Sequence, residues 1–220
     1  MCGRYSLATP EEHLVEVFDV PPVTFDYYPR YNIAPSQEVP VVASDRRGRR
    51  LGLLRWGLVP AWADAPAAGS RMINARAESL LDKPSFKEAA VARRCLIPAD
   101  GFYEWSKEGG GKVPYWIHSP DREPMGMAGI WERWHHDGAE PLYSMAIITV
   151  EANEGIHHLH HRMPAIVPAA DWTAWLEAET PIADALRLLK PYEGELEAYP
   201  VSTLVNSPAN DVPECIEPVA

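Results

Sequence analysis

Val39-Pro40-Val41-Val42-Ala43 and Leu51-Gly52-Leu53-Leu54-Arg55-Trp56 flank the polar stretch Ser44–Arg50, and this pair of runs decides the fold class. Each run is rich in residues that favour a pleated surface, and the loop between them carries Gly48 among charges, so the segment reads as a hairpin. Four further runs have the same character: Cys95–Ile97, Tyr115–His118, Met125–Trp131 and Leu142–Val150. Glu132–Pro141 joins the last two as a second hairpin. The cluster Arg46-Arg47-Gly48-Arg49-Arg50 falls at the first tip, where a solvated loop is the favoured reading and a phosphate contact the minor one.

Helical signals lie outside these runs. Thr9-Pro10-Glu11-Glu12 has the spacing of an N-cap, a first-turn proline and a capping box, and Ser85 to Glu88 repeats it ahead of Ala89-Ala90-Val91. A third helix is expected from about Pro168 through Trp172, Trp175 and Leu176, and a fourth from Thr180-Pro181 until Pro191 stops it. Strands in runs with helices at the ends, and no regular strand–helix alternation, define an α+β domain. The sheet is expected to be mainly antiparallel, curled or closed into a distorted barrel, with short flanking helices. One domain spans residues 1–220, and the 22 prolines imply short elements with rigid turns.

Composition narrows the function classes. No apolar run approaches the ~20 residues of a membrane helix, and the N-terminus lacks the basic-then-apolar layout of a secretory signal. Cys2, Cys95 and Cys215 cannot all pair and show no metal-ligand spacing, which points to a reduced, cytoplasmic protein. A net charge of −11 opposes bulk capture of nucleic acid and requires any such site to be a local basic cleft.

Four short segments carry chemistry. In Met1-Cys2-Gly3-Arg4 the small second residue permits removal of Met1, which leaves Cys2 with an α-amine titrating at about 8 and a thiol at about 8.5. Such an aminothiol condenses with an aldehyde to an imine and closes to a thiazolidine, an intramolecular step favoured by proximity. Ile73-Asn74-Ala75-Arg76 sets an amide and a guanidinium two residues apart, on one face if extended. Phe102-Tyr103-Glu104-Trp105 places a carboxylate in an aromatic run, where burial would raise its pKa and suit it to acid–base work. Leu159-His160-His161-Arg162-Met163-Pro164 adds imidazoles beside a guanidinium.

In order along the chain, MCGRY, RYNIAPSQ (Arg30–Gln37), WGLVPAW (Trp56–Trp62), INARAES (Ile73–Ser79), PADGFYEW (Pro98–Trp105) and HHRMPAI (His160–Ile166) resemble the SOS response-associated peptidase (SRAP) family. The resemblance implies binding of single-stranded DNA and of single-strand/double-strand junctions, and a thiazolidine crosslink between the N-terminal cysteine and the aldehyde of an abasic site. It also implies self-processing that exposes Cys2. It assigns the catalytic places to Cys2, Asn74, Glu104 and His160, and none to His161. Arg4, Arg76 and Arg162 are the expected phosphate clamps and Trp62 a stacking or wedging ring; surface ion pairing and a core role are their plainer readings. Ala63 departs from members with a second tryptophan there. No cofactor and no metal is implied, the expected state is a monomer, and on DNA the protein would associate with the nucleoid.

Three other readings remain open. Met-Cys-Gly also begins amidohydrolases of the glutamine amidotransferase type, in which Cys2 would attack an amide carbonyl. His157-His158-Leu159-His160-His161 could hold nickel or zinc, although the helical HExxH pattern is absent. A non-catalytic junction-binding module is the last.

Overall fold

Arg46 and Arg47 are all that remains of the first hairpin loop in the computed structural model, which describes residues 2–135 and 140–219. Strands β3 (Glu38–Asp45) and β4 (Gly48–Trp56) pair antiparallel from Glu38 opposite Arg55 to Asp45 opposite Gly48. Gly48 turns the chain at φ +106°, which favours glycine over any residue with a Cβ. The basic cluster is partly absorbed by the fold. Arg50 pairs with Asp45 at 2.9 Å, and Arg49 donates to the Thr173 hydroxyl at 2.7 Å and the Phe18 carbonyl at 3.2 Å.

The hairpin is one side of a closed ring. β6 (Arg94–Ala99) joins β3, β9 (Met125–Trp134) joins β6, and β10 (Leu142–Glu151) joins both β9 and β4. The path β10-β4-β3-β6-β9 therefore returns to its start. β6 is buried along its whole length and β10 from Ser144 to Val150, because the ring interior covers one face and other elements cover the second. The ring is mainly antiparallel, but β10 runs parallel to β4. The second expected hairpin forms between β9 and β10; residues 136–139 of its loop lie outside the described residues, as does Met1.

Short strands extend the ring at β10 and β9: β5 (Asn74–Arg76) runs parallel to β10, β11 (Arg162–Pro164) antiparallel to it, and β12 (Ile166–Val167) antiparallel to β9. A separate antiparallel sheet has the order β13-β8-β7-β1-β2, from β1 (Tyr5–Leu7), β2 (Arg30–Ile33), β7 (Gly101–Glu108), β8 (Gly111–His118) and β13 (Glu197–Pro200). The chain crosses from ring to sheet at Asp100. Gly101 is required there, since a Cβ would stand 2.5 Å from Trp116 Nε1. The α+β class and the curled, closing sheet are thus as expected.

Two helix starts differ from expectation. α1 (Glu11–Phe18) has Pro10, not Thr9, at its N-cap, and the Thr9 hydroxyl donates to the Asp100 carboxylate at 2.5 Å. A long-range acceptor outcompetes the local cap. α2 (Pro84–Ala92) begins one residue before Ser85, with Lys83 as cap residue. α3 (Trp172–Leu176) follows a short 3₁₀ turn, and α4 (Ile182–Arg187) ends before Pro191 is reached. Phe18 stacks on Trp172 with centroids 4.4 Å apart, worth about 1 kcal/mol beyond burial. The buried Arg94 guanidinium donates to the carbonyls of Val91 at 2.8 Å and Trp175 at 2.7 Å, which satisfies the open ends of α2 and α3. Among the described residues no helix is long and apolar enough to cross a membrane.

Candidate active site

The N-terminal arm is held to β7. The Tyr103 amide donates to the Arg4 carbonyl at 3.0 Å, and Tyr5 lies opposite Phe102. This register brings Cys2 beside Glu104, one turn of the pleat beyond Phe102. From the ring side, pairing with β10 sets Asn74 opposite Ile147 and Arg162 opposite Glu151, so one strand positions both flanking segments. Asn74 Nδ2 donates to the Cys2 carbonyl at 2.8 Å, and its buried Oδ1 has no hydrogen-bond partner among the described residues. His160 Nδ1 stands 3.9 Å from Glu104 Oε1. The four residues expected to be catalytic, drawn from segments up to 158 positions apart by number (2 to 160), thus meet between ring and sheet.

Burial governs their electrostatics. Cys2 is fully buried; desolvation, reinforced by the Glu104 charge, pushes its thiol up to about 12. In this arrangement the thiol is protonated at neutral pH, so the partly ionised thiol expected from unperturbed values is not what the fold produces. Its Sγ lies 3.8 Å from the Arg4 carbonyl. Glu104 is only 4% exposed, and desolvation raises its carboxyl pKa, as the aromatic run suggested. Desolvation also lowers the pKa of His160, which favours the neutral ring. The His161 ring stacks on that of His160 with centroids 4.4 Å apart.

The expected DNA contacts divide into two kinds. Arg76 is exposed, and Trp62 is 65% exposed in the loop after β4. The neighbouring Ala63 is buried, and its carbonyl accepts from Trp134 Nε1 at 2.7 Å, so a second large ring at 63 would collide with the wall it lines. Arg4 and Arg162 instead act as internal struts. Arg4 Nη1 donates to Asn32 Oδ1 at 2.7 Å and to the Val205 carbonyl at 2.5 Å. Arg162, 7% exposed, grips both oxygens of Glu78 at 2.7 and 3.0 Å and the Thr149 carbonyl at 2.5 Å. Glu78 was not singled out from sequence; a carboxylate two residues after Arg76 in the same motif was the available signal.

A cavity of about 280 Å³ opens beside His161, lined by Arg76, Glu151, Ala152, His157, His161 and Arg162. Of its two guanidiniums only that of Arg76 is exposed, since Arg162 is paired with Glu78, and Glu151 brings a carboxylate to the same wall. A larger cleft of about 720 Å³ lies between the loops of Asn153 and Tyr192, but Glu154, Glu193 and Glu195 make it unsuited to an anion. Among the described residues no three His, Cys, Asp or Glu side chains are grouped as a metal site.

A thiol, a buried carboxylate, an imidazole and an amide converging from two sheets define a cysteine-centred site, and residues 1–208 match the model of the SOS response associated peptidase (SRAP) family. The chain belongs to that family. It is 42% identical over 222 residues to "Abasic site processing protein YoqW" of Bacillus subtilis, covering 99% of each chain. It is 40% identical to "Abasic site processing protein HMCES" of Gallus gallus, covering 88% of this chain and 67% of that protein. Its fold matches a crystal structure of a Bacteroides thetaiotaomicron protein with a TM-score of 0.87, at 28% identity and with both chains fully covered.

Proposed function

We propose that this protein, once Met1 is removed, binds single-stranded DNA and strand junctions and couples covalently to abasic sites through Cys2, shielding the lesion. The observation that carries this reading is the meeting of Cys2 with Asn74, Glu104 and His160, in a chain whose relatives are called abasic site processing proteins. The α-amine of Cys2 attacks C1′ of the ring-opened sugar, and water leaves to give an imine. The thiol then adds to the imine carbon, forming the C–S bond, while its proton ends on nitrogen. Neither step oxidises or reduces a partner, so the chemistry calls for no redox cofactor.

Each neighbour has work suited to its state. Glu104, whose burial raises its carboxyl pKa and so makes its carboxylate a stronger base, is the base for amine and thiol. A base is needed because the thiolate, not the thiol, is the nucleophile. His160, kept neutral by its lowered pKa, donates a hydrogen bond to the sugar oxygen as the ring opens and closes. Asn74 fixes the first residue through its carbonyl without adding charge. Arg76 and Trp62 meet phosphate and base in this reading, which their exposure supports. Arg4 and Arg162 hold the site walls, and a phosphate reaches Arg162 only by displacing Glu78. Self-processing that exposes Cys2 belongs to the same reading, with the protein a monomer in the cytoplasm.

The test is to incubate processed protein with single-stranded DNA carrying one abasic site, and to map any joined residue by mass spectrometry. A denaturation-resistant adduct at Cys2, absent in Cys2→Ala while noncovalent binding persists, is the expected result. Adducts surviving in Cys2→Ala would overturn the proposal.

A further inference from the structure

The segment following His160 turns back on its ring. The Arg162 backbone N–H donates to His160 Nδ1 at 2.9 Å. An amide hydrogen can occupy that position only if Nδ1 presents its lone pair, since two hydrogens cannot share the gap. The neutral ring therefore carries its proton on Nε2. The Arg162 carbonyl, 3.2 Å from the same Nδ1, would accept from the other tautomer, so the choice depends on how firmly the Arg162 backbone is held.

That backbone is held from both ends. Pairing of β11 with β10 sets Arg162 opposite Glu151, and the side chain is anchored by Glu78 and Thr149. Glu78 belongs to the 3₁₀ turn Ala77–Ser79 that directly follows β5, the strand carrying Asn74 and Arg76. The two-pronged Glu78–Arg162 contact thus ties the segment that holds Cys2 through Asn74 to the segment that orients His160. The carboxylate is about half exposed while the guanidinium is buried, and the Arg162 partner holds the Glu78 pKa below the usual carboxylate range.

We infer that Glu78 is a positioning residue: through Arg162 it fixes the neutral His160 ring as the Nε2–H tautomer and so selects Nε2 as the hydrogen-bond donor offered to the substrate. The inference rests on the proposed role of His160 for its consequence in catalysis, but the tautomer itself is independent of that role. A fixed tautomer matters because a neutral ring turned to the other tautomer would offer the substrate oxygen a lone pair in place of a hydrogen.

Nitrogen-15 NMR of histidine-labelled, processed protein tests this without DNA, with the His160 signals assigned by comparison with His160→Ala. The expected spectrum has an unprotonated Nδ1 and a protonated Nε2. In Glu78→Ala the two signals move toward each other as the tautomers mix, and the rate of adduct formation at saturating abasic DNA falls about tenfold. Glu78→Gln, which keeps one acceptor for Arg162, lies between them. A protonated Nδ1 in the unmodified protein overturns the inference, as does a Glu78→Ala variant with a single tautomer or an unchanged rate. If the spectra behave as expected but no adduct ever forms on abasic DNA, the tautomer lock stands and the proposed function falls.

Discussion

Replacing Asn74 by alanine separates placement of Cys2 from the chemistry of Cys2. The lost contact is one hydrogen bond, from Nδ2 to the Cys2 carbonyl at 2.8 Å in a partly buried setting. Such a bond contributes about 0.5–1.5 kcal/mol net, and restoring the reactive pose without it costs that amount. At about 1.4 kcal/mol per decade, adduct formation slows roughly two- to thirteenfold. Stability falls too, because the Cys2 carbonyl loses its donor; a loss of ~1 kcal/mol lowers Tm by about 2–4 °C in a chain of this size. Asn74→Asp is expected to react more slowly than Asn74→Ala, since a carboxylate offers the carbonyl no hydrogen and adds charge near Glu104. The assay is single-turnover crosslinking to an oligonucleotide with one abasic site, at saturating protein, resolved on a denaturing gel. A fall beyond ~100-fold with unchanged noncovalent affinity would refute placement and make Asn74 a participant in the chemistry. An unchanged rate would remove it from the site altogether.

Glu104→Gln should slow crosslinking while raising thermal stability. Burial raises the native pKa of Glu104, so its contribution is fully present below the ordinary carboxyl pKa and is lost as pH rises through the raised value. The variant's advantage in melting temperature therefore grows from mildly acidic toward neutral pH, and a constant difference across that range would contradict the reasoning. Cys2 of the unprocessed chain should resist alkylation at pH 7–8 and react faster with each pH increase, without the plateau of an ordinary thiol, because its pKa is pushed up to about 12; peptide mapping that finds rapid labelling at pH 7 would sink this. Arg76→Ala should weaken noncovalent binding and reduce the salt slope on single-stranded DNA by about 0.7, the share of one phosphate contact. An unchanged slope would show that Arg76 does not face the strand.

Legibility in the sequence followed the reach of each interaction. The β3–β4 hairpin and the strands β6, β9 and β10 were readable because long apolar runs bounded by polar loops are local signals. The strands β1, β5, β11 and β12 have two or three residues each, too few for any periodicity, and exist only because β7, β9 and β10 offer them edges. The parallel pairing of β10 with β4 and β5 is likewise set by the closed ring. Thr9 looked like a helix cap until Asp100, 91 residues away, took its hydroxyl. Within the site, residue types sufficed to nominate Cys2, Asn74, Glu104 and His160, since their chemistry is unusual. The partnership of Glu78 with Arg162 spans 84 residues and left no trace in spacing, so two guanidiniums that looked alike in sequence turned out to have opposite exposures.

Because Cys2 and Glu104 come from the sheet side while Asn74 and His160 come with segments paired to the ring, the group of four has no existence in either half alone. During synthesis the first residues emerge long before β7, β10 or β11, and for that interval Cys2 stands in water with none of its three neighbours. The group is complete only with the last long-range closure. The meeting of these side chains is thus a property of the finished tertiary structure, and whatever they do together begins only there.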